Sequence, residues 1–553
     1  MKKGMRNMRL KFFTLFAIGI LTLGGALLYA AQAQLTPDQI LDKIIQNENA
    51  MPKRLENFHP LVETYIQNLD RSNELAFVPK SDEYFLGKLD LTNEGQQKTL
   101  LNDPGFLGSL KRSVTQIYNV RYLAGGFTQT MFIKNGLDRQ NYAYEFIRRE
   151  FLGDVRTVVF DVKPKKGSNG IFSGRIWAED QTYYIVRFNG TYSTNGSEKL
   201  AFHFDSWREN MGPNLWFPSY VYTEESDLGY MFGRKKLSFK AQTRLWGYNV
   251  GRENKEKELT SLIVESDQVR DNLDDTQTAS PVAALREWER QAEDNIIQRL
   301  EKASLIAPNG EVNKVLETVL TNLEITNNLN IEPEVRARVL LTTPLESFTI
   351  GNTIVLSRGL VDVLPDEASL AAVLAHELAH IALGHQIDTK YSFNDRMLFQ
   401  DQDALKNVRL KRDEREENEA DAKAAEYLKK SPYSAKLANA GLFLKAVDQR
   451  AKVLNHLLLP HIGNTMAKDS KVTRMASLIS VAPELQPTRV DQIAALPLGG
   501  RVHVDPWTAR IELTKSKAVA LQFAREKMPF EVTPVFLFLS RQSTTQKAAA
   551  KTN

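Results

Sequence analysis

The chain has 553 residues, of which 42% are hydrophobic and 25% charged, and its formal net charge is +4. This length and composition predict roughly two to four ordinary globular domains, and the small net charge gives no indication of a nucleic-acid partner. There are no cysteines, which excludes disulfides and thiolate metal sites and leaves histidine and carboxylate side chains as metal ligands.

The N-terminus has the parts of a secretory signal peptide. A basic stretch precedes an almost uncharged apolar run, Phe12 to Ala31, which ends at the small-x-small cleavage site Ala31-Gln32-Ala33. We therefore expect residues 1–33 to be removed before Gln34, and the remainder to be periplasmic or secreted. The alternative is an uncleaved anchor, because the apolar run is nearly long enough to span a bilayer.

The N-terminal half, residues 34–270, is predicted to contain a β-rich domain. Residues 35 to about 110 read as mostly helical and polar. From Ser113 to about Val250, short runs of β-branched and aromatic residues alternate with Gly, Asn and Asp, which predicts one strongly curved antiparallel sheet. The sequence around Trp177 and Trp207 resembles the half-barrel of outer-membrane lipoprotein-sorting proteins. That resemblance implies contact with a lipid or lipoprotein, whereas the alternative is that the aromatic residues form the core of the sheet.

A polar, acidic linker at 265–280 separates this half from a mainly helical domain at 281–482. Beyond it, residues 483–540 are predicted to form a small α+β appendage, followed by a disordered tail at 541–553. The predicted fold class is therefore α+β. The individual predicted elements after the linker are helices at 281–305, 312–329 and 437–459, strands at 335–342 and 352–356, and two C-terminal strands at 501–513 and 530–539 around a helix at 515–527.

The helical domain contains the sequence His376-Glu377-Leu378-Ala379-His380 within an apolar helical pattern from Glu367 to Leu383. Residues four apart lie on one face of a helix, so His376 and His380 can bind one Zn²⁺. Glu377 would then take the proton of a zinc-bound water as general base. A chance match is the alternative, but histidines and a glutamate on the apolar side of a buried helix are hard to explain without a metal.

A catalytic zinc site needs a third protein ligand. In one sister pattern it is a histidine after a His-x-x-Gly-x-x step, but here Gly384 comes one place late and His385 one place early. The other option is a glutamate from a later helix. Glu417 and Asp421 are one helical turn apart, so Glu417 could bind zinc and Asp421 could accept the second ring N–H of a ligand histidine. The alternative is that this acidic run is a solvated, charged helix.

The paired motifs His-Glu-Leu-Ala-His and Glu-x-x-Ala-Asp resemble those of the HtpX/CAAX-prenyl-protease family of gluzincin zinc metallopeptidases, including its BepA-like periplasmic members. The resemblance covers roughly residues 310 to 480 and implies a zincin-type domain with Glu417 as the third ligand. It also implies that 352–356 is an edge strand beside the metal, where a substrate could pair. The polar segment 386–412 is then either a lid or a surface loop.

These observations predict a zinc endopeptidase with one Zn²⁺ per chain, acting on unfolded or misassembled proteins of the envelope. His461, His456 and Arg474 are the predicted transition-state stabilisers. In the resembling family, a His-Pro element precedes an Arg-Met pair; here Arg474-Met475 is present, but Asp469-Ser470-Lys471 replaces His-Pro. Two alternative functions are an envelope chaperone or assembly factor, and a lipid- or lipoprotein-binding protein, each retaining the zinc site.

Overall fold

The computed structural model of the protein describes residues 35–73, 75–90, 96–99, 130–133, 136–192, 203–230, 235–249, 293–385, 410–468, 471–492, 494–514, 523 and 530–542. Several predicted features lie outside these ranges, namely the signal peptide, the linker, most of the 386–412 segment, nearly all of the helix at 515–527, and the tail beyond 542. Among the helices within these ranges, none combines the length and the hydropathy needed to cross a bilayer.

A ten-stranded antiparallel sheet dominates the N-terminal half, with strand order β3-β2-β1-β10-β9-β8-β7-β6-β5-β4. It confirms the predicted large antiparallel sheet. Helix α1 (Pro37–Leu55) precedes it and is N-capped by Thr36 through a capping box. The strands are β1 (Leu61–Ser72), β2 (Ala76–Asp90), β3 (Gln96–Thr99), β4 (Tyr142–Leu152), β5 (Val155–Pro164), β6 (Phe172–Glu179), β7 (Ile185–Tyr192), β8 (Phe204–Gly212), β9 (Leu215–Tyr230) and β10 (Lys235–Trp246).

The prediction that residues 35–110 are mostly helical is wrong beyond α1, because β1, β2 and β3 belong to the sheet. The first seven residues of β1 are all buried, including the polar residues Glu63, Thr64 and Gln67. A strand covered on both faces lacks the alternation of apolar and polar residues that identifies a half-exposed strand. The buried polar side chains therefore concealed the strand in the sequence.

Both faces of the sheet are covered around β8, since neighbouring residues of a strand point to opposite faces. On one face, Arg208 forms a buried ion pair with Glu48 of α1 at 2.7 Å. On the other, the Trp207 ring packs against Phe536 of the C-terminal segment, with ring centroids 6.3 Å apart. All four tryptophans of this half are buried. Contact of the sheet with a lipid or lipoprotein stays a prediction.

The hairpin formed by β1 and β2 meets the second half of the chain through buried polar contacts. Glu63 Oε2 accepts hydrogen bonds from Arg358 at 2.6 Å and from the Thr343 hydroxyl at 2.8 Å. Its Oε1 accepts from the Thr343 backbone N–H at 2.6 Å and from the Tyr84 hydroxyl at 2.8 Å. Nearby, Asp82 Oδ2 accepts the Leu457 N–H at 2.7 Å. The two halves are therefore joined by specific, desolvated hydrogen bonds.

The second half contains a three-stranded sheet with the order β11-β13-β12, in which β11 runs parallel and β12 antiparallel to β13. The strands are β11 (Arg336–Leu340), β12 (Ser347–Ile350) and β13 (Thr353–Ser357). The expectation that the strand at 352–356 lies at the edge is wrong, because β13 is the central strand and β11 and β12 are the two edges. A four-residue strand that is buried throughout has no alternating pattern, which is why β12 was overlooked.

Helices surround this small sheet and confirm the α+β class of the chain. Helix α4 lies at the centre and contacts α2, α5, α6 and β12. The helix predicted at 437–459 is divided into α6 and α7, which are separated by residues 451–454. The helices are α2 (Glu311–Thr326), α3 (Arg358–Val363), α4 (Glu367–Ala382), α5 (Glu414–Lys430), α6 (Leu437–Arg450), α7 (Asn455–Leu458) and α8 (Ala476–Val481), and residues 293–302 are also helical.

Two short hairpins complete the second half, β14 (Ala467–Lys468) with β15 (Lys471–Val472) and β16 (Val502–Val504) with β17 (Ile511–Leu513). The strand predicted at 530–539 is instead a segment without regular secondary structure, with one isolated bridge between Leu498 and Val532. The backbone of this segment bonds partly to the backbone of residues 496–498 and partly to a side chain of the large sheet. Gln67 donates to the Phe530 carbonyl at 2.7 Å and accepts the Val532 N–H at 2.9 Å.

Candidate metal centre

Helix α4 carries the two histidines of the motif on one buried face. Asp366 caps its N-terminus by accepting the Ser369 N–H at 2.9 Å. His376 and His380 are 2% and 0% exposed, and their Nε2 atoms lie 3.2 Å apart. Both imidazole rings are therefore buried on one face of a helix that packs against α2, α5, α6 and β12.

Helix α5 brings a carboxylate to the same point. It is N-capped by Asp413, which accepts the Glu416 N–H at 2.9 Å. Glu417 Oε2 lies 3.5 Å from His376 Nε2, and its Oε1 lies 3.4 Å from His380 Nε2. The burial of Glu417 is partial, as expected for a helix whose opposite face is solvated.

The side chains of these three residues suit a tetrahedral zinc ion. Two ligands bound at about 2.0–2.1 Å with tetrahedral angles are about 3.3–3.4 Å apart. In the structure the two imidazole Nε2 atoms are 3.2 Å apart, Glu417 Oε1 lies 3.4 Å from that of His380, and Glu417 Oε2 lies 3.5 Å from that of His376. Two neutral imidazoles and one carboxylate are also a common donor set of catalytic zinc sites. Residues His376, His380 and Glu417 therefore fit the metal that the sequence predicts.

Asp421 lies behind the first ligand, one turn along α5 from Glu417. Its Oδ1 is 2.7 Å from Nδ1 of His376, and its Oδ2 accepts the Met475 N–H at 2.8 Å. A carboxylate at Nδ1 keeps the proton on that nitrogen and leaves Nε2 free to bind a metal. Burial alone lowers the pKa of His376, but Asp421 and Glu417 outweigh it and raise the pKa.

Glu377 is buried beside the first ligand, at 1% exposure. Its Oε1 accepts hydrogen bonds from the Ser347 hydroxyl at 2.7 Å and from Arg474 at 3.1 Å. Burial by itself raises the pKa of this carboxyl, but the Arg474 guanidinium and the two histidines outweigh it and hold the pKa below its usual range. Glu377 is therefore a carboxylate at neutral pH and can accept a proton.

Arg474 lies between the two glutamates of the site. Its Nε donates to Glu417 Oε2 at 2.9 Å, while its terminal nitrogen contacts Glu377 and the Ser347 carbonyl, the latter at 3.3 Å. Asn464 adds a bond to Glu417 Oε1 at 2.8 Å. Burial raises the pKa of Glu417, but the two histidines and Arg474 outweigh it and lower the pKa strongly.

The two other predicted transition-state stabilisers contact the large sheet. His456 Nδ1 lies 2.8 Å from the Asp82 carbonyl oxygen. His461 stacks on the Tyr84 ring, with centroids 5.3 Å apart. The structure thus places these two histidines against β2, and places Arg474 against Glu377 and Glu417.

Sequence reasoning missed Ser347 and Asn464. Both residues lie in segments without a motif, in the overlooked strand β12 and in the loop after Pro460. A polar side chain gains significance in such segments only when the fold brings it to a charged group. In the sequence, the Arg474-Met475 pair shared with the resembling family indicates that this part of the chain lies near the metal ligands.

The comparisons with known proteins concern the segment that carries this centre. Residues 307–404 match the model of Peptidase family M48, a segment that includes His376, Glu377 and His380 and ends before Glu417. Over 94 residues the chain is 34% identical to Metalloprotease LoiP of Escherichia coli (strain K12). The aligned region covers 17% of this chain and 36% of that protein. The chain thus spans about a third of the length of this curated relative.

Two solved structures align with the chain at low similarity. One is a LolA superfamily protein from Nitrosomonas europaea, with 12% identity, a TM-score of 0.19, and coverage of 38% of this chain and 92% of the other. The second is a DUF1329 family protein from Desulfovibrio piger, with 10% identity, a TM-score of 0.18, and coverage of 38% and 94%. At these TM-scores the alignments do not establish a shared fold.

The family match agrees with the His376-Glu377-Leu378-Ala379-His380 motif on α4 and ends before the second motif on α5. The family match and the identity to LoiP confirm the zinc-metallopeptidase resemblance of the sequence at the level of this family, and the His376, His380 and Glu417 cluster supplies a matching metal site. Residues 307–404 therefore match peptidase family M48, and the identity to a known metalloprotease supports the same assignment for this segment.

Proposed function

We propose that this protein is a zinc-dependent endopeptidase that is exported and hydrolyses peptide bonds of envelope proteins. The observation that carries the proposal is the convergence of three ligand side chains, with nitrogen and oxygen atoms 3.2–3.5 Å from one another, beside the buried carboxylate of Glu377. A structural metal site has no need of a held, ionised carboxylate beside its ligands. The motif at the N-terminus supports export.

The residues of the site have separate tasks in this proposal. When bound to His376, His380 and Glu417, zinc supplies a Lewis acid that lowers the pKa of water and polarises a carbonyl. Glu377 accepts the proton of the attacking water and delivers it to the leaving amine. Both hydrogen bonds to Glu377 go to Oε1, so we assign the proton transfer to Oε2.

We assign Arg474 to positioning the two glutamates. The sequence suggested that it stabilises the transition state, but its nitrogens already donate to Glu377, Glu417 and Ser347. A guanidinium can hold two carboxylates in a fixed relation because its donors form a rigid, planar fork. A lysine at this position would provide one point charge and lose that geometry.

A small, mainly apolar pocket lies beside His376. It opens between α4, α6 and the segment that carries Arg474. Its apolar lining is formed by Ala372, Val373, Ala440, Phe443, Leu444, Met466 and Met475.

Cleavage of casein with and without a chelator tests the proposal. We expect the chelator to abolish cleavage while the circular dichroism spectrum stays that of a folded protein, and zinc to restore activity. Cleavage that is unaffected by complete metal removal would contradict the proposal. A folded, metal-loaded protein that cleaves no substrate but suppresses aggregation of unfolded proteins would instead support the chaperone alternative.

A further inference from the structure

We propose that His385 is a positioning residue for the metal ligand His380, and that Glu419 supports His385 in turn. The inference rests on the metal site of the proposed function. It concerns the histidine that lies one position too early to be the third ligand of the sister pattern.

The end of helix α4 explains how His385 reaches His380. Gly384 has a positive φ of 67°, which glycine adopts without strain. The Gly384 N–H donates to the Ile381 carbonyl and the His385 N–H to the His380 carbonyl, both at 3.0 Å. These two bonds define a Schellman motif, in which the side chains at the ends of the six-residue turn approach each other. Here those side chains are the imidazoles of His380 and His385, with centroids 5.1 Å apart.

The hydrogen bonds of the two rings select one arrangement of protons. His380 Nδ1 lies 2.9 Å from His385 Nδ1, and His385 Nε2 lies 3.2 Å from Glu419 Oε2. His380 must offer the lone pair of Nε2 to the metal, so its proton is on Nδ1 and is donated to His385. His385 then accepts at Nδ1 and carries its own proton on Nε2, which it donates to Glu419.

Helix α5 thus supports both ligand histidines. Asp421 orients His376 directly, at 2.7 Å, whereas Glu419 reaches His380 through the intervening ring of His385. The side chain of His385 is 8% exposed and that of Glu419 is 46% exposed. We therefore expect loss of His385 to weaken metal binding more than loss of the Glu419 charge, which is screened by solvent.

The zinc dissociation constant of the full chain, measured by competition with a chelator, tests this inference. His385→Phe keeps a ring of similar size but cannot accept the His380 N–H, and we expect it to raise the dissociation constant by about 10- to 100-fold. His385→Asn places an amide oxygen near the former Nδ1 and should recover most of the affinity. A folded His385→Phe variant with wild-type affinity, or an Asn variant no better than Phe, would overturn the proposal.

Glu419→Gln keeps the inference testable if the His385 variants do not fold, because Glu419 is a half-exposed side chain on the surface of α5. We expect it to raise the dissociation constant by a smaller factor and to shift the visible spectrum of the Co²⁺-loaded protein. An unchanged constant and spectrum would contradict the relay. If the wild-type protein itself binds no stoichiometric zinc, the proposed function is wrong, and the inference that depends on it is wrong as well.

Discussion

The strongest stability prediction concerns Glu63, the buried carboxylate that joins the large sheet to the metallopeptidase half. Glu63 and Arg358 are 2% and 1% exposed, and Oε2 of Glu63 accepts from Arg358 at 2.6 Å. Glu63→Gln keeps the size of the side chain but removes its charge. It also turns an amide NH₂ toward groups that are donors, namely Thr343, Arg358 and Tyr84.

Removing one partner of a buried ion pair typically costs about 3–5 kcal/mol, because the remaining charge stays desolvated without compensation. Native proteins have a free energy of unfolding of only about 5–15 kcal/mol. We therefore expect Glu63→Gln to remove a large share of the stability of the interface between the halves. Peptidase activity should fall with it, because Thr343 precedes strand β12, and Ser347 of that strand donates a hydrogen bond to Glu377.

Urea unfolding followed by tryptophan fluorescence measures this effect. The matched control is Asp70→Asn, the same acid-to-amide change in the same hairpin, where the pair with Lys80 spans 3.3 Å and both side chains are more than 60% exposed. An exposed pair contributes at most about 1 kcal/mol, so the control should keep its midpoint. If Glu63→Gln unfolds at the same urea concentration as Asp70→Asn, the inferred coupling of the two halves is wrong.

Three further predictions concern the metal centre and its surroundings. Glu417→Ala should lose its zinc, because two histidines alone leave the site one ligand short; full retention by elemental analysis would place the third ligand elsewhere. Arg474→Lys should bind zinc but lose most of its activity, since lysine cannot hold Glu377 and Glu417 together; a wild-type kcat/KM would exclude the positioning role. Burial raises the pKa of the Glu346 carboxyl to about 7 in the folded protein. The protonated carboxyl therefore stabilises the fold at a pH below the pKa that Glu346 has in the unfolded chain, and this stabilisation is lost as the pH rises through about 7. The stability of the wild type relative to Glu346→Gln, followed by thermal unfolding, should therefore fall between pH 5 and 8, and a constant difference would contradict this.

The core of the metal site could be predicted because its residues are related by local helical spacing. His376 and His380 are four residues apart, and Glu417 and Asp421 repeat that spacing on a second helix. The pairing of the two helices came from the family resemblance, and the structure brings all four side chains together.

The surrounding residues could not be predicted because their significance depends on long-range packing. Ser347 reaches Glu377 only because β12 lies beside α4, and Asn464 reaches Glu417 through a loop without regular structure. The sequence predicts a helix where strand β1 lies. Its buried polar residues form hydrogen bonds with residues hundreds of positions away, such as Thr343 and Val532, and such distant partners leave no local pattern. The role of His385 depends on the turn at Gly384, which spacing alone does not reveal.

The most direct test of the peptidase mechanism is the Glu377→Gln variant, assayed for zinc and for hydrolysis in one preparation. Glutamine fills the same space beside the ligands but cannot accept the proton of water, and loss of a general base typically reduces the rate by ~10²–10⁴-fold. We predict one zinc per chain, an unchanged fold, and hydrolysis of an unfolded substrate at background. A zinc-loaded Glu377→Gln variant that cleaves this substrate at the wild-type rate would contradict the mechanism and, with it, the assignment of this chain as an active endopeptidase.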